Sequence, residues 1–474
     1  MDKKFYITAA IPYVNAKPHI GHALEFVQTD TIARFHRLLG KDVTSLSGGD
    51  ENALKNVQAA ETLGQEVQKF VDENTEKFLE LTKTLNCEFD IWQKGSDQKT
   101  HVPSSQKLWE LCEKAGDIYK KKYEGLYCLG CEAFYLAEEL NENGECFEHP
   151  GKPLQKIAEE NYFFKLSKYQ DQLIKLIESD DLKITPLERK NEVLSFLKEP
   201  LQDISISRSN ERAKNWGVPV PGDDSQRMYV WFDALNIYQS GIGFGWDEEK
   251  YNKLWPADLH VIGKGITRFH AVYWPAFLIS AGLKTPKGLF VHGYFTVNGR
   301  KMSKTLGNVV DPIEIVNKYG ADALRYYFLA KFQPFTDGDF SEEKLKEVYN
   351  GELANGIGNL ISRVSKLCEK VDQDFEDSKK EVYEEVVRSL TDYRFDQALL
   401  YIWTKVSELD TQINIKEPWT KEGQELYEIL KPIVEGIREI AFNLVPFLPI
   451  TAQKIEKQFS SVKIKSETGL FPRL

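Results

Sequence analysis

Residues 5–22 read Phe5-Tyr6-Ile7-Thr8-Ala9-Ala10-Ile11-Pro12-Tyr13-Val14-Asn15-Ala16-Lys17-Pro18-His19-Ile20-Gly21-His22. The run from Phe5 to Ile11 is apolar and rich in strand formers, and predicts a buried strand. Beyond the tetrapeptide His19-Ile20-Gly21-His22, the residues Leu24, Val27, Ile32, Phe35 and Leu38 recur near helical spacing, and Gly40 supplies a stop. The tetrapeptide therefore stands at a strand-to-helix turn. Free N–H groups and the macrodipole make a helix N-terminus a seat for anions. Two imidazoles there can donate to phosphate oxygens, and Gly21 lets a flat ligand lie against backbone. Standing alone the pattern is weak, because a histidine at a helix start is more often just a capped or solvated residue. A second element far downstream, Lys301-Met302-Ser303-Lys304-Thr305, gives it weight.

Working outward, Asp42 to Leu46 predicts a second strand, ending in Ser47-Gly48-Gly49-Asp50-Glu51 and followed by a helical stretch over 52–85. This βαβ order implies a parallel sheet whose ligands sit at the strands' carboxyl ends. Asp50 stands at such an end, where a carboxylate can grip an ammonium or cap a helix. The runs Met228–Ala234, Leu259–Lys264 and Leu289–Tyr294 predict further strands, largely apolar rather than strictly alternating, as expected for strands covered on both faces. Trp231, Tyr238 and His270 fall at or just past strand ends, where an aromatic either fills core or rims a pocket. Between the two groups of strands lie Cys128-Leu129-Gly130-Cys131 and Cys146-Phe147-Glu148-His149. Two pairs, each with a two-residue gap, predict that Cys128, Cys131, Cys146 and His149 close on one structural Zn²⁺ and leave no open position. Cys87, Cys112 and Cys368 are isolated and read as buried thiols.

The glycine-flanked stretch Asn298–Asn308 predicts a mobile loop whose cations suit a polyphosphate. From about Asp311 the pattern is helical throughout, with segments near 313–319, 321–330, 342–364, 380–391, 395–414, 423–443 and 451–459. Asn359 and Arg363 are one turn apart, and Trp419 follows Glu417-Pro418 at a helix end. Such a face can stack and hydrogen-bond unpaired bases, or simply be a capped bundle with one packed tryptophan.

Composition sets bounds on these readings. A chain of 474 residues suggests two to four domains. A net charge of -11 argues against a general nucleic-acid coat, so an RNA partner must meet local basic patches. No uncharged apolar run reaches membrane-spanning length, and Met1-Asp2-Lys3-Lys4 leads directly into the first strand without a signal peptide. A cytoplasmic location is expected, where the six cysteines form no disulfide framework.

With both signatures in hand, the chain resembles the class I aminoacyl-tRNA synthetases, and within them the methionyl-tRNA synthetase family. The resemblance runs from Phe5 to about Trp419 and extends toward the end. It is carried also by Pro12–Pro18, Tyr229–Ala234, Ile262-Gly263-Lys264 with Phe269-His270, and Gly320–Tyr326. It implies an α/β fold: a Rossmann-like parallel-sheet catalytic domain split by a zinc-knuckle insertion and followed by an all-α bundle. The expected boundaries are 1–115 (first catalytic half), 116–225 (insertion), 226–330 (second half) and 331–474 (anticodon-binding bundle). The implied reaction joins L-methionine and ATP to methionyl-adenylate, then passes the methionyl group to the 3′ end of tRNA(Met) for translation initiation and elongation.

By the same resemblance His19, Gly21, His22 and Lys304 bind ATP. Lys301 and Lys304 close over the pyrophosphate with Mg²⁺. Ile11, Tyr13, Trp231, Leu235, Tyr238, Ile266 and His270 line the methionine side chain, and Asp50 pairs with its ammonium. A thioether is a weak acceptor, so discrimination is expected to rest on shape plus a donor such as the Tyr238 hydroxyl. Asn359, Arg363 and Trp419 fall on anticodon-reading positions, and Arg208 on an arginine near the active site. Thr305 stands where the family has serine, Gly265 where many relatives have aspartate, and Asn52 where relatives often have histidine. The chain stops at Leu474 without a C-terminal dimerising module, so a monomer is expected. The alternatives are another class I synthetase, for which the insertion is too short to hold an editing domain, a small nucleotidyltransferase, or a non-catalytic zinc-knuckle RNA-binding module.

Overall fold

The computed structural model describes residues 3–128, 133–135, 139–147, 150–302, 308–376 and 379–474. They form two compact units: Met1–Pro18, Asp42–Glu80 and Phe89–His292 in the first, His19–Lys41, Leu81–Glu88 and Gly293–Leu474 in the second. Among the described residues no helix is long and apolar enough to cross a membrane.

The first unit is built on a six-stranded, all-parallel sheet. Its spatial order is Ile91–Lys94, Asp42–Gly49, Lys4–Ala9, Leu259–Gly263, Gly288–His292 and Lys183–Thr185. Every residue of Leu259–Gly263 and Gly288–His292 is buried, which is why these strands read as continuous apolar runs. Strand order reverses between Lys4–Ala9 and Leu259–Gly263, where Ile7 stands opposite Leu259. A crevice outside the carboxyl ends of a parallel sheet opens at such a switch point. Ile11 and Tyr13 follow one of these strands, and Ile266 and His270 follow the other.

Two expectations need correction in this unit. The run Met228–Ala234 is not a strand: Asp223–Met228 pairs antiparallel in a small separate sheet, and a helix begins at Val230 and runs to Ser240. Every residue of that helix is buried, and an apolar run buried all round carries no period to distinguish helix from strand. The stretch 52–85 is two helices, Leu54–Thr62 and Val67–Thr84, with Gly64 at φ +64° between them. Lys183–Thr185 went unseen because three residues with one buried side chain show no alternation. Within 116–225, Ile118–Cys128 and Gln155–Phe164 pair antiparallel from Ile118 opposite Phe164 to Tyr127 opposite Gln155.

The second unit contains the helix Ile20–Leu38, a small sheet of Phe295–Val297, Arg300–Lys301 and Gly338–Phe340, and the C-terminal helices. The long helix expected over 342–364 is three pieces: Glu342–Val348, a π-helix Tyr349–Gly358, and Asn359–Cys368. Gly351, Gly356 and Gly358 lie in the middle piece, and Gly356 leaves helical geometry at ψ −106°. The helices Phe395–Lys416, Gly423–Leu444 and Pro449–Phe459 agree with the sequence pattern.

Candidate active site

His19 is the N-cap of the helix Ile20–Leu38. Its Nδ1 accepts from the Gly21 N–H at 3.1 Å, and the His22 Nδ1 accepts from the His19 N–H at 3.1 Å. This is a capping box built from two imidazoles. An Nδ1 that accepts carries no proton, so in the neutral ring the proton resides on Nε2, the nitrogen that can donate to a phosphate oxygen. The rings stack with centroids 3.8 Å apart. Desolvation, helped by the adjacent His19, holds the His22 imidazole well below its ordinary pKa. A Cβ at Gly21 would lie 3.0 Å from His19 Cε1, so a side chain there would crowd the His19 ring folded back onto the turn.

Met302 of the second signature and Val310, beyond its end, both reach this turn. Lys301 ends the strand Arg300–Lys301, its backbone opposite Thr296. Met302 follows, and its Cε would be 3.8 Å from a Cβ on Gly21. Residues 303–307, and with them Lys304 and Thr305, lie outside the described residues. Just after them, Val310 O accepts from the Ile20 N–H at 3.2 Å. The turn before Lys301 is anchored by Asp339, whose carboxyl accepts from Gly299 N–H and the Thr296 hydroxyl, both at 2.7 Å. Those bonds hold Asp339 below the usual carboxylate range.

The residues expected to hold methionine gather within the first unit. Trp231, Leu235 and Tyr238 share one face of the helix Val230–Ser240, by their spacing of four and three. Phe269 stacks on Trp231 at 3.7 Å, while Tyr13 and His270 meet it edge-on at 6.4 Å. Ile11, Tyr13 and Ile266 are half-buried; Leu235, Tyr238 and His270 are buried. Tyr13 forms a parallel bridge with Asp50, whose N–H donates to Pro12 O at 2.9 Å and whose carbonyl accepts from Asn56. His270 Nδ1 lies 2.9 Å from Ile266 O, which can only accept, so Nδ1 holds the proton and Nε2 accepts the Tyr238 hydroxyl at 2.8 Å. The Tyr238 proton is thus directed to His270. In this arrangement the hydroxyl offers lone pairs where a donor was expected.

The family model described as "tRNA synthetases class I (M)" matches residues 5–365. A methionine–tRNA ligase of Thermotoga maritima is 40% identical over 96% of this chain and 75% of its own length. One from Brucella suis biovar 1 is 39% identical over 96% of this chain and 91% of its own. The chain belongs to the methionyl-tRNA synthetase family. A crystal structure of Mycobacterium tuberculosis methionyl-tRNA synthetase bound by methionyl-adenylate superposes with a TM-score of 0.91, at 34% identity, covering 99% of this chain and all of that one.

Of the expected metal ligands, Cys128 ends the strand Ile118–Cys128 and is buried, as is Cys146, and neither is in a disulfide. Cys131 and His149 lie outside the described residues. Arg208 is buried over the Tyr229 ring at 4.5 Å, and Arg212 lies over Tyr127 at 4.0 Å. In the bundle, Asn359 and Arg363 share the helix Asn359–Cys368. Arg363 donates to Asp410 at 2.7 Å and Asn414 at 2.8 Å, and its guanidinium lies 5.9 Å from the centre of the exposed Trp419 ring.

Three features of the site were not foreseen. Phe269 doubles the Trp231 ring; the adjacent His270 was the signal for it. Lys55 lies over the Tyr13 ring, 2.7 Å from its centroid. Asn52 donates to Asp233 and to Gly95 O, both at 2.7 Å, and His101 backs Asp233 at 3.4 Å. Burial pushes the Asp233 carboxyl up despite those bonds. This link ties the Asp50 loop to the helix carrying Trp231, and no local pattern around His101 announces it.

Proposed function

We propose that this chain activates L-methionine with ATP and transfers the methionyl group to tRNA(Met). The methionine carboxylate attacks the α-phosphorus, the bond to the bridging oxygen breaks, and pyrophosphate leaves. A hydroxyl of the terminal ribose then attacks the acyl carbon, loses its proton, and AMP leaves. The enzyme's part is positioning and charge stabilisation; no covalent nucleophile is needed. The observation that carries this reading is the histidine turn flanked by Met302 and Val310, with Nε2 protons on His19 and His22. His19 and His22 hold ATP phosphates, with Gly21 leaving room for the nucleotide. Lys301 and Lys304 neutralise the departing pyrophosphate together with the Mg²⁺ that accompanies ATP.

Asp50 pairs with the methionine ammonium. Ile11, Tyr13, Trp231, Leu235, Tyr238, Ile266 and His270 enclose the side chain, with Arg208 nearby. Cys128, Cys131, Cys146 and His149 would hold a structural Zn²⁺: two buried thiols outside any disulfide suit such a donor set. The ion would supply local fold stability to the insertion, taken as 116–225 between catalytic halves 1–115 and 226–330. The bundle 331–474 reads the anticodon through Asn359, Arg363 and Trp419. The enzyme acts in the cytoplasm as a monomer.

The test is pyrophosphate exchange with ATP and Mg²⁺, adding each amino acid singly. Exchange with methionine alone supports the reading. Exchange with another amino acid would overturn the pocket assignment, and none at all would overturn the activity. Trp419→Ala is expected to lower tRNA charging about tenfold, since base stacking contributes about 1–3 kcal/mol, while exchange stays within twofold. Equal loss of both activities would remove the anticodon role from Trp419.

A further inference from the structure

Asp30 and Arg325 are both fully buried and joined at 2.7 Å within the second unit. Asp30 lies on the histidine-capped helix, eight residues beyond His22, or about 12 Å along the axis. Its carboxylate also accepts from Arg34 Nε at 2.8 Å and from the Glu88 N–H at 2.9 Å. Arg325, on the helix Ala321–Lys331, uses its whole fork. Nε donates to Phe447 O at 2.7 Å, and Nη2 donates to Pro446 O at 3.0 Å as well as to Asp30. Nη1 reaches Leu85 O and Cys87 Sγ, each at 3.4 Å. One helical turn before it, Asp322 accepts from the Thr451 N–H at 2.6 Å, in the first turn of the last helix, Pro449–Phe459.

A buried guanidinium is tolerated only when its charge and N–H groups are met, which fixes its plane. That plane is set by two consecutive carbonyls of the bundle, Pro446 and Phe447. The carboxylate it grips belongs to the helix whose N-cap is His19. We propose that Arg325 is a positioning residue for ATP: it transfers the placement of residues 446–451 to the helix Ile20–Leu38, and so to the Nε2 donors of His19 and His22. The proposal rests on the reading that these histidines hold ATP phosphates. Misplacing a catalytic group by about 1 Å can cost about 100-fold, so a few tenths of an ångström at the helix is enough to be measured. The residues assigned to methionine lie on other elements and should not sense the change.

The variant to make first is Arg325→Lys, which keeps the charge beside Asp30 and loses the fork. Pyrophosphate exchange should show kcat/KM for ATP down at least tenfold through a raised ATP KM, with the methionine KM and kcat each within twofold. His22→Asn is the control for the histidine reading and should show the same ATP-selective loss. A folded Arg325→Lys enzyme with both KM values and kcat unchanged would overturn the proposal. So would an equal loss toward both substrates, the mark of a merely lowered active fraction. An unchanged His22→Asn enzyme would overturn the histidine reading itself, and is told apart because it does not involve Arg325. Should the lysine variant not fold, hydrogen exchange on the unaltered protein in mild urea decides. Residues 20–38 and 449–459 are expected to open as one unit, and independent opening overturns the link.

Discussion

Asp50→Asn is expected to raise the KM for methionine about 100-fold in pyrophosphate exchange and to leave the KM for ATP within threefold. The substitution keeps the size and one acceptor oxygen of the side chain and removes its charge. Asp50 is buried at the carboxyl end of the strand Asp42–Gly49, beside Tyr13. Its backbone is held independently of the side chain, through Pro12 O and Asn56. A charged hydrogen bond is worth about 1.5–3 kcal/mol, and stranding one member of a buried charge pair costs about 2–5 kcal/mol. The expected 100-fold is about 2.7 kcal/mol, inside both ranges. Steady-state kinetics over each substrate provides the check. A matched rise in both KM values would mean that the carboxylate holds the loop in shape, and would detach it from the ammonium.

The same geometry makes a side-chain analogue informative. On the proposed reading the methionine side chain meets an aromatic wall of Trp231, Phe269 and Tyr13, and the Tyr238 proton is directed to His270. Selection for methionine is then expected to rest on length and shape more than on a donor aimed at sulfur. An isosteric norleucine should be discriminated only weakly in adenylate formation, because a pocket that makes no strong bond to sulfur cannot penalise its absence strongly.

What could be read from the sequence follows from how local each signal is. The histidine turn was legible because a cap, a glycine and a following amphipathic helix all lie within twenty residues. The first strand and the runs 259–263 and 288–292 were legible because parallel strands buried on both faces are largely apolar. The helix Val230–Ser240 was misread for that same reason: burial on all sides erases the period on which the distinction depends. The break of the helix after Asn52 at Gly64, and the π-helix around Gly356, are choices among backbone states that apolar spacing does not record. The tautomer of His270 and the Asn52–Asp233–His101 link depend on partners 32 to 181 residues away. Arg325 was visible only as one letter in Gly320–Tyr326. Its partners at 30, 85–87 and 446–447 are brought together by the fold alone.

Acid should weaken the first unit well above the range in which ordinary carboxylates titrate, and His270 should account for much of it. Burial pushes the His270 imidazole down to about 4, and it holds His260 well below the ordinary value with help from neighbouring His270. In the unfolded chain each returns to about 6.5. Between those values the unfolded state binds more protons, so stability rises with pH; it is fully present above about 6.5 and is lost as pH falls toward 4. For His270 the loss from pH 8 to pH 5 is about 2 kcal/mol, with His260 adding in the same direction. The structure shows why both rings resist charging. His270 Nε2 already accepts the Tyr238 hydroxyl, and His260 Nε2 has no partner among the described residues. Asp233 works in the opposite sense, because burial raises its pKa and protonation in acid relieves it. The measurement must therefore be a difference. Urea unfolding followed by tryptophan fluorescence at pH 8 and pH 5 should show His270→Gln losing about 2 kcal/mol less than the unaltered protein over that interval. Equal losses in the two proteins would mean that His270 is protonated in the folded state at pH 5, and that the Tyr238–His270 bond does not hold its imidazole neutral.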